Sequence, residues 1–154
     1  GAAGAGIEIG GADRSTLRTC FVHHNGGPGV VVADEAAPRL LDNLIAWNGT
    51  RAGAPAPGVQ VREGAQPLLA GNRIEANSGP GVILPAPDRI DEVFRWNGFG
   101  AQPREQAVRV AAAGAAPAAA ASVRPAPAAA RPAPPSGRGV GPPRPPAGGP
   151  RRQP

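Results

Sequence analysis

The sequence predicts an all-β fold, a right-handed parallel β-helix (solenoid) of about four rungs with a disordered Pro/Ala/Arg-rich C-terminal tail. Three observations predict it. The pattern Gly-apolar-x-apolar recurs as GIEI at Gly6, GVVV at Gly29, GVQV at Gly58 and GVIL at Gly81, at spacings of 23, 29 and 23 residues. In the first three units a closing Asn follows its Gly after 19 residues, at Asn25, Asn48 and Asn77. Between these marks apolar residues alternate with period two over short stretches broken by Gly, Pro and Asn, the pattern of short strands and tight turns.

The first strand of each unit carries two apolar columns, Ile7, Val30, Val59, Val82 and Ile9, Val32, Val61, Leu84. The second strand supplies Leu17, Leu40 and Leu69, and the third supplies Val22, Ile45 and Ile74, with Phe94 continuing the column when the last unit is aligned backwards from Asn97. Helical spacing does not persist in this reading. A 23-residue unit of three short strands cannot enclose a core alone. Stacking solves this, because each strand pairs in parallel with its equivalent one coil along, about 4.8 Å away, and parallel crossovers are right-handed almost without exception. The 29-residue spacing then marks six extra residues in one turn, within GTRAGAPAP. The last unit is three residues shorter from Gly to Asn, and Val108–Val110 is expected to add a final strand.

Two polar columns complete the unit: Cys20, Asn43, Asn72, and Asn25, Asn48, Asn77, Asn97. Asn at an inward-facing turn accepts left-handed backbone angles, and its amide can donate to one neighbouring Asn while accepting from the other. Asn25, Asn43, Asn48, Asn72, Asn77 and Asn97 are therefore expected to form structural ladders that fix the stacking register.

Composition divides the chain into residues 1–110, the repeat domain, and 111–154. The latter segment holds 15 Ala, 12 Pro and 6 Gly, with six Arg as its only charged side chains. With almost nothing large to bury it reads as a solvated tail or linker. The formal charge of +5 belongs to it, since residues 1–110 carry 10 Arg against all 11 acidic residues. Six dispersed arginines without interleaved aromatics do not make a specific nucleic-acid site. The sequence contains no apolar run long enough to span a bilayer. A chain that opens inside its own repeat and lacks Met reads as the C-terminal part of a longer solenoid, with upstream rungs of the same parent as its first partner.

The chemistry-bearing residues are few. Asp34 and Glu63 stand five residues after their glycines and should share a turn on adjacent rungs, where two carboxylates can act as acid and base or hold a cation. The column continues to neither side, Gly11 and Ala86 occupying it, so a solvated polar turn is the simpler reading. Cys20, His23 and His24 invite a metal or thiolate reading. Strand alternation sends Cys20 inward and His23 outward, and no second ligand pair exists, so no metal and no cofactor is assigned. The lone Cys20 reads as a small substitute in the inner Asn column. Trp47 and Trp96 precede closing asparagines, in the column of His24 and Ala76. Trp47 adjoins the insertion containing Arg51, and insertions on solenoids become surface loops on binding faces. Trp47, Arg51, Asp34 and Glu63 are the candidate glycan contacts; no residue is assigned a catalytic role. The glycine-rich GAAGAGIEIGG lacks the strand and helix that frame a nucleotide loop.

The spelling G-V-x-V followed by P-x-L-x-x-N-x-I-x-x-N, at Gly29–Asn48 and Gly58–Asn77, resembles right-handed parallel β-helix proteins of the pectate-lyase-like superfamily, in particular their carbohydrate-binding and sugar-hydrolase type of repeat. The resemblance covers residues 6 to 97. It implies a polysaccharide partner and an extracellular or periplasmic setting. The group contains lyases, hydrolases, epimerases and noncatalytic modules. Without a multi-rung acidic and basic cluster, a noncatalytic glycan-binding or scaffolding module is the expectation. The alternative is the C-terminal end of a polysaccharide lyase, glycoside hydrolase or uronate epimerase whose active site lies upstream.

Overall fold

A computed structural model describes residues 4–112. The tail expected from residue 111 onward lies, from residue 113, outside the described residues. The coil is built from three-residue strands: β1 (Ile7–Ile9), β2 (Thr16–Arg18), β3 (Phe21–His23), β4 (Val30–Val32), β5 (Arg39–Leu41), β6 (Leu44–Ala46), β7 (Val59–Val61), β8 (Leu68–Ala70), β9 (Arg73–Glu75) and β10 (Val82–Leu84). A 3₁₀ turn at Pro87–Arg89, α1 (Ile90–Trp96), α2 (Arg104–Ala107) and β11 (Val108–Val110) follow.

The strands form three parallel sheets, one in the order β1-β4-β7-β10-β11, a second β2-β5-β8 and a third β3-β6-β9. Pairing joins the columns read from the sequence: Ile7 to Val30 to Val59 to Val82, Leu17 to Leu40 to Leu69, and Val22 to Ile45 to Ile74. Val30, Val32, Leu40, Ile45, Val59, Ile74 and Val82 have no exposed surface. β11 adds to the first sheet beside β10 with Val82 opposite Val108, the final strand the sequence suggests.

The glycine that opens each unit is required by close approach. A methyl group at Gly58 would stand 2.6 Å from Ile74 Cγ2 and 2.9 Å from the Gly81 carbonyl; one at Gly29 would stand 2.7 Å from the Gly58 carbonyl. Adjacent coils are too near for any side chain there.

Both asparagine ladders exist. Asn72 Oδ1 accepts from the backbone N–H of Asn43 (3.0 Å) and from its Nδ2 (2.9 Å), and Asn48 and Asn77 repeat the arrangement. Each Nδ2 also donates back to a strand carbonyl one coil earlier: Asn43 to Leu17, Asn48 to Val22, Asn72 to Leu40 and Asn77 to Ile45. The left-handed angles fall elsewhere than expected. They belong to the residue before each ladder position, Thr19, Asp42 and Gly71 before the inner column and His24, Trp47 and Ala76 before the outer one. The kink precedes the Asn so that the Asn itself can drop its amide into the coil.

The fourth unit departs from the expected alignment. Its second and third strands are replaced by the 3₁₀ turn and α1, where Ile90, Val93 and Phe94 follow helical spacing, Asp91 and Glu92 lie in the first turn and Arg95 in the last. α1 lies against β8 and β11 and buries Val93. Asn97 therefore joins the inner ladder, accepting from Asn72 N–H (3.1 Å) and Nδ2 (2.9 Å), and not the outer one. Phe99, 6% exposed, takes the place above Ile74 that the sequence gives to Phe94. Phe94 lies outside that column, partly buried and stacked on Phe99 with ring centroids 5.7 Å apart. Trp96 closes the helix, its carbonyl accepting from Gly71 N–H, so it does not share the column of Trp47.

Candidate functional site

Each coil has three turns, and the candidate residues occupy two of them. Asp34 and Glu63 lie where the first sheet passes to the second, whereas Trp47 and Arg51 lie where the third passes back to the first. The four do not form one site.

At the first corner Asp34 is committed to structure. It has a left-handed φ of 56°, and its Oδ2 accepts from Gly11 N–H one coil earlier at 3.0 Å. Glu63 is exposed beside it, and both line an open groove of about 1080 Å³ with Gln60, Arg62, Leu68 and Arg89. Arg62 reaches back to Glu8 at 3.6 Å across the intervening coil, where Val31 lies in register between Glu8 and Gln60; Val31 points outward by alternation yet is only 2% exposed. Arg89 is held by Glu92 at 3.3 Å and donates to the Pro67 carbonyl. Arg89 is thus already bonded, and Arg62 faces Glu8 while its buried Nε has no hydrogen-bond partner among the described residues. Among the described residues no group of three or more His, Cys, Asp or Glu is placed to hold a metal ion.

At the other corner the structure assembles something the sequence reading did not foresee. Phe21 and His23 share the outward face of β3, and their rings stack at 4.0 Å. Trp47, one coil along, meets Phe21 edge-on at 5.9 Å and stacks on His24 at 5.6 Å. His23 and His24 touch in turn, at 5.1 Å and 88°. Four rings therefore close into one patch, with Phe21 50% and Trp47 45% exposed. The left-handed backbone at His24 and Trp47 turns these side chains out beside the strand face. The signal was the shared column of His24 and Trp47 next to Phe21-x-His23.

The insertion leaves this patch open. Gly49 N–H donates to the carbonyls of Asn25 and Gly27, Thr50 N–H to Asn25 and Arg51 N–H to Gly26, so the outgoing leg runs toward the first coil. The returning leg is pinned by Ala56 N–H on Ser78 Oγ at 3.0 Å. The loop packs along the coil edge and does not close over Trp47, and Arg51 is exposed.

The family model of the right handed beta helix region matches residues 1–95. The chain belongs to the right-handed β-helix family. The match covers the coils that the Gly and Asn marks outline, and it specifies an architecture without an activity. No curated protein and no solved structure matches the chain. No helix among the described residues of this β-helix is long and apolar enough to cross a membrane.

Proposed function

We propose that this β-helix is a noncatalytic repeat module that binds glycan on the Phe21–Trp47 patch, with a tether of residues 111–154 after it. The observation that carries the reading is the pair of half-exposed aromatic rings from successive coils, 50% and 45% accessible and in contact. Large apolar rings left on a surface generally mark a binding site. A flat ring offers the apolar face of a sugar a stacking partner while the sugar hydroxyls stay in water. Kinship with the pectate-lyase-like group, and with it a setting outside the cytoplasm, belongs to the same proposal. So does the contribution of Arg51, which stands in the loop next to Trp47, as a hydrogen-bond donor to the ligand.

The test is affinity electrophoresis of the full chain in gels containing neutral or acidic polysaccharides. Retardation by at least one polysaccharide is expected, with Trp47→Ala and Phe21→Ala each weakening it about 2- to 10-fold, the worth of one stacking contact. Retardation indifferent to both substitutions would remove the patch from the account.

One observation favours a second reading, a part of a polysaccharide-cleaving enzyme: Asp34 and Glu63 line one groove with Arg62 and Arg89. Sustained release of shortened chains, abolished by Glu63→Gln, would establish it in place of the first.

A further inference from the structure

His23 and His24 hold their Nδ1 atoms 2.8 Å apart. The sequence reading set these histidines aside because alternation sends Cys20 inward and His23 outward and no second ligand pair exists; alternation alone would also send His23 and His24 to opposite faces. The left-handed φ of His24, 53°, ends the alternation there, so both imidazoles leave the coil on the same side and both residues are exposed. In the neutral pair one Nδ1 carries the proton and the other accepts it. A metal ion would take a lone pair from each Nδ1 once the donating ring has moved its proton to Nε2.

Imidazole nitrogen binds such ions at about 2.0–2.1 Å, so two nitrogens at right angles on one ion are about 2.8–3.0 Å apart, and two at the tetrahedral angle about 3.3–3.4 Å. The observed separation is that of the right-angled pair. Tetragonal coordination by nitrogen and oxygen is the preference of Cu(II) and Ni(II), and of the divalent first-row ions Cu(II) binds a given nitrogen site most tightly. We propose that His23 and His24 form a two-imidazole seat for copper(II), with water in the remaining positions. On binding, the ring that carries its proton on Nδ1 gives it up to solvent and takes one up at Nε2, so both imidazoles stay neutral; two Cu–N bonds form, two waters leave the ion and no electron is transferred. The rings already stand at 88°, and rotation about their Cβ–Cγ bonds aims both lone pairs at one point beside the N–N line. Phe21, stacked on His23, and Trp47, stacked on His24, border the seat and supply no ligand. Cys20 lies apart from the seat in its bonding, its Sγ on the Arg18 carbonyl at 3.3 Å.

The test is a titration of the full chain with copper(II) sulfate at neutral pH. A Cys20→Ser background prevents the thiol from reducing the metal. Electron paramagnetic resonance and tryptophan emission are recorded together. One copper per chain is expected, with hyperfine structure from two equatorial nitrogens and with quenched emission, since Trp47 lies against His24. His23→Phe and His24→Phe should each lower the affinity at least about tenfold by breaking the chelate, and the double variant should lose both signals. Affinity unchanged in the double variant, or a spectrum with a single nitrogen, overturns the proposal. The circular dichroism of each variant verifies that its coil is intact. Because the probe is the metal alone, the outcome is independent of whether any polysaccharide binds.

Discussion

Asn72 shows what a single side chain does in this fold. Its Oδ1 accepts two bonds from Asn43, and its Nδ2 donates to Leu40 O at 2.8 Å and to Asn97 Oδ1 at 2.9 Å, all in a residue 1% exposed. Replacement by Leu keeps the branched shape of the side chain but leaves the Asn43 donors and the Leu40 and Asn97 acceptors without their partner. One buried polar group left unsatisfied costs about 1–3 kcal/mol. Relaxation of the neighbours will recover part of the sum. Asn72→Leu is therefore expected to lower stability by about 1–3 kcal/mol or more, read from the midpoint of chemical denaturation at unchanged slope. A change within error would mean the ladder carries no net stability. The glycines work by a different physics at the same scale, because Gly29 and Gly58 are there for want of room and not for a special backbone angle.

Among the elements, the helical cap is where sequence and structure part. The columns of the three regular coils were legible because a solenoid writes each position several times, so Leu17, Leu40 and Leu69 identify one another. α1 is written once. A seven-residue helix has little stability of its own, and it forms because Val93 and its neighbours cover the end of the coil, a tertiary cause that local pattern does not announce. A sharper comparison was nevertheless present, since Asn97-x-Phe99 repeats Asn72-x-Ile74 with the same offset. The aromatic patch was half legible: Trp47 stood out, but its contacts with Phe21 and His24 depend on left-handed backbone that period-two alternation conceals. The reassignment can be measured. Phe99→Ala is expected to cost about 3–5 kcal/mol, the usual loss for a buried Phe. Phe94→Ala should cost clearly less, because Phe94 is only partly buried. Thermal unfolding of the two variants decides, and the opposite order would restore Phe94 to the core column.

For the described coils as a whole, the two ends differ. β1, β2 and β3 are the edge strands at the N-terminal end of their sheets, and Ile7 and Leu17 are only partly buried there. At the other end α1, Phe99 and β11 continue the covering. In a stack where each coil touches only its neighbours, local stability follows the number of covered sides. Amide hydrogen exchange should accordingly be slowest in β4–β9 and at least about tenfold faster in β1–β3; uniform protection would show that the stack opens only as one unit. The same order governs how the coils respond to force. Tension drawing residue 6 away along the axis loads the ladder bonds of one coil at a time, so the first coil should let go before the second. A released 23-residue coil lengthens the chain by about 70–80 Å, and the following 29-residue coil, with its inserted loop, by about 90–100 Å. The insertion thereby acts as a ruler mark, and the position of the longer step in a single-molecule trace reports from which end the coil unwinds.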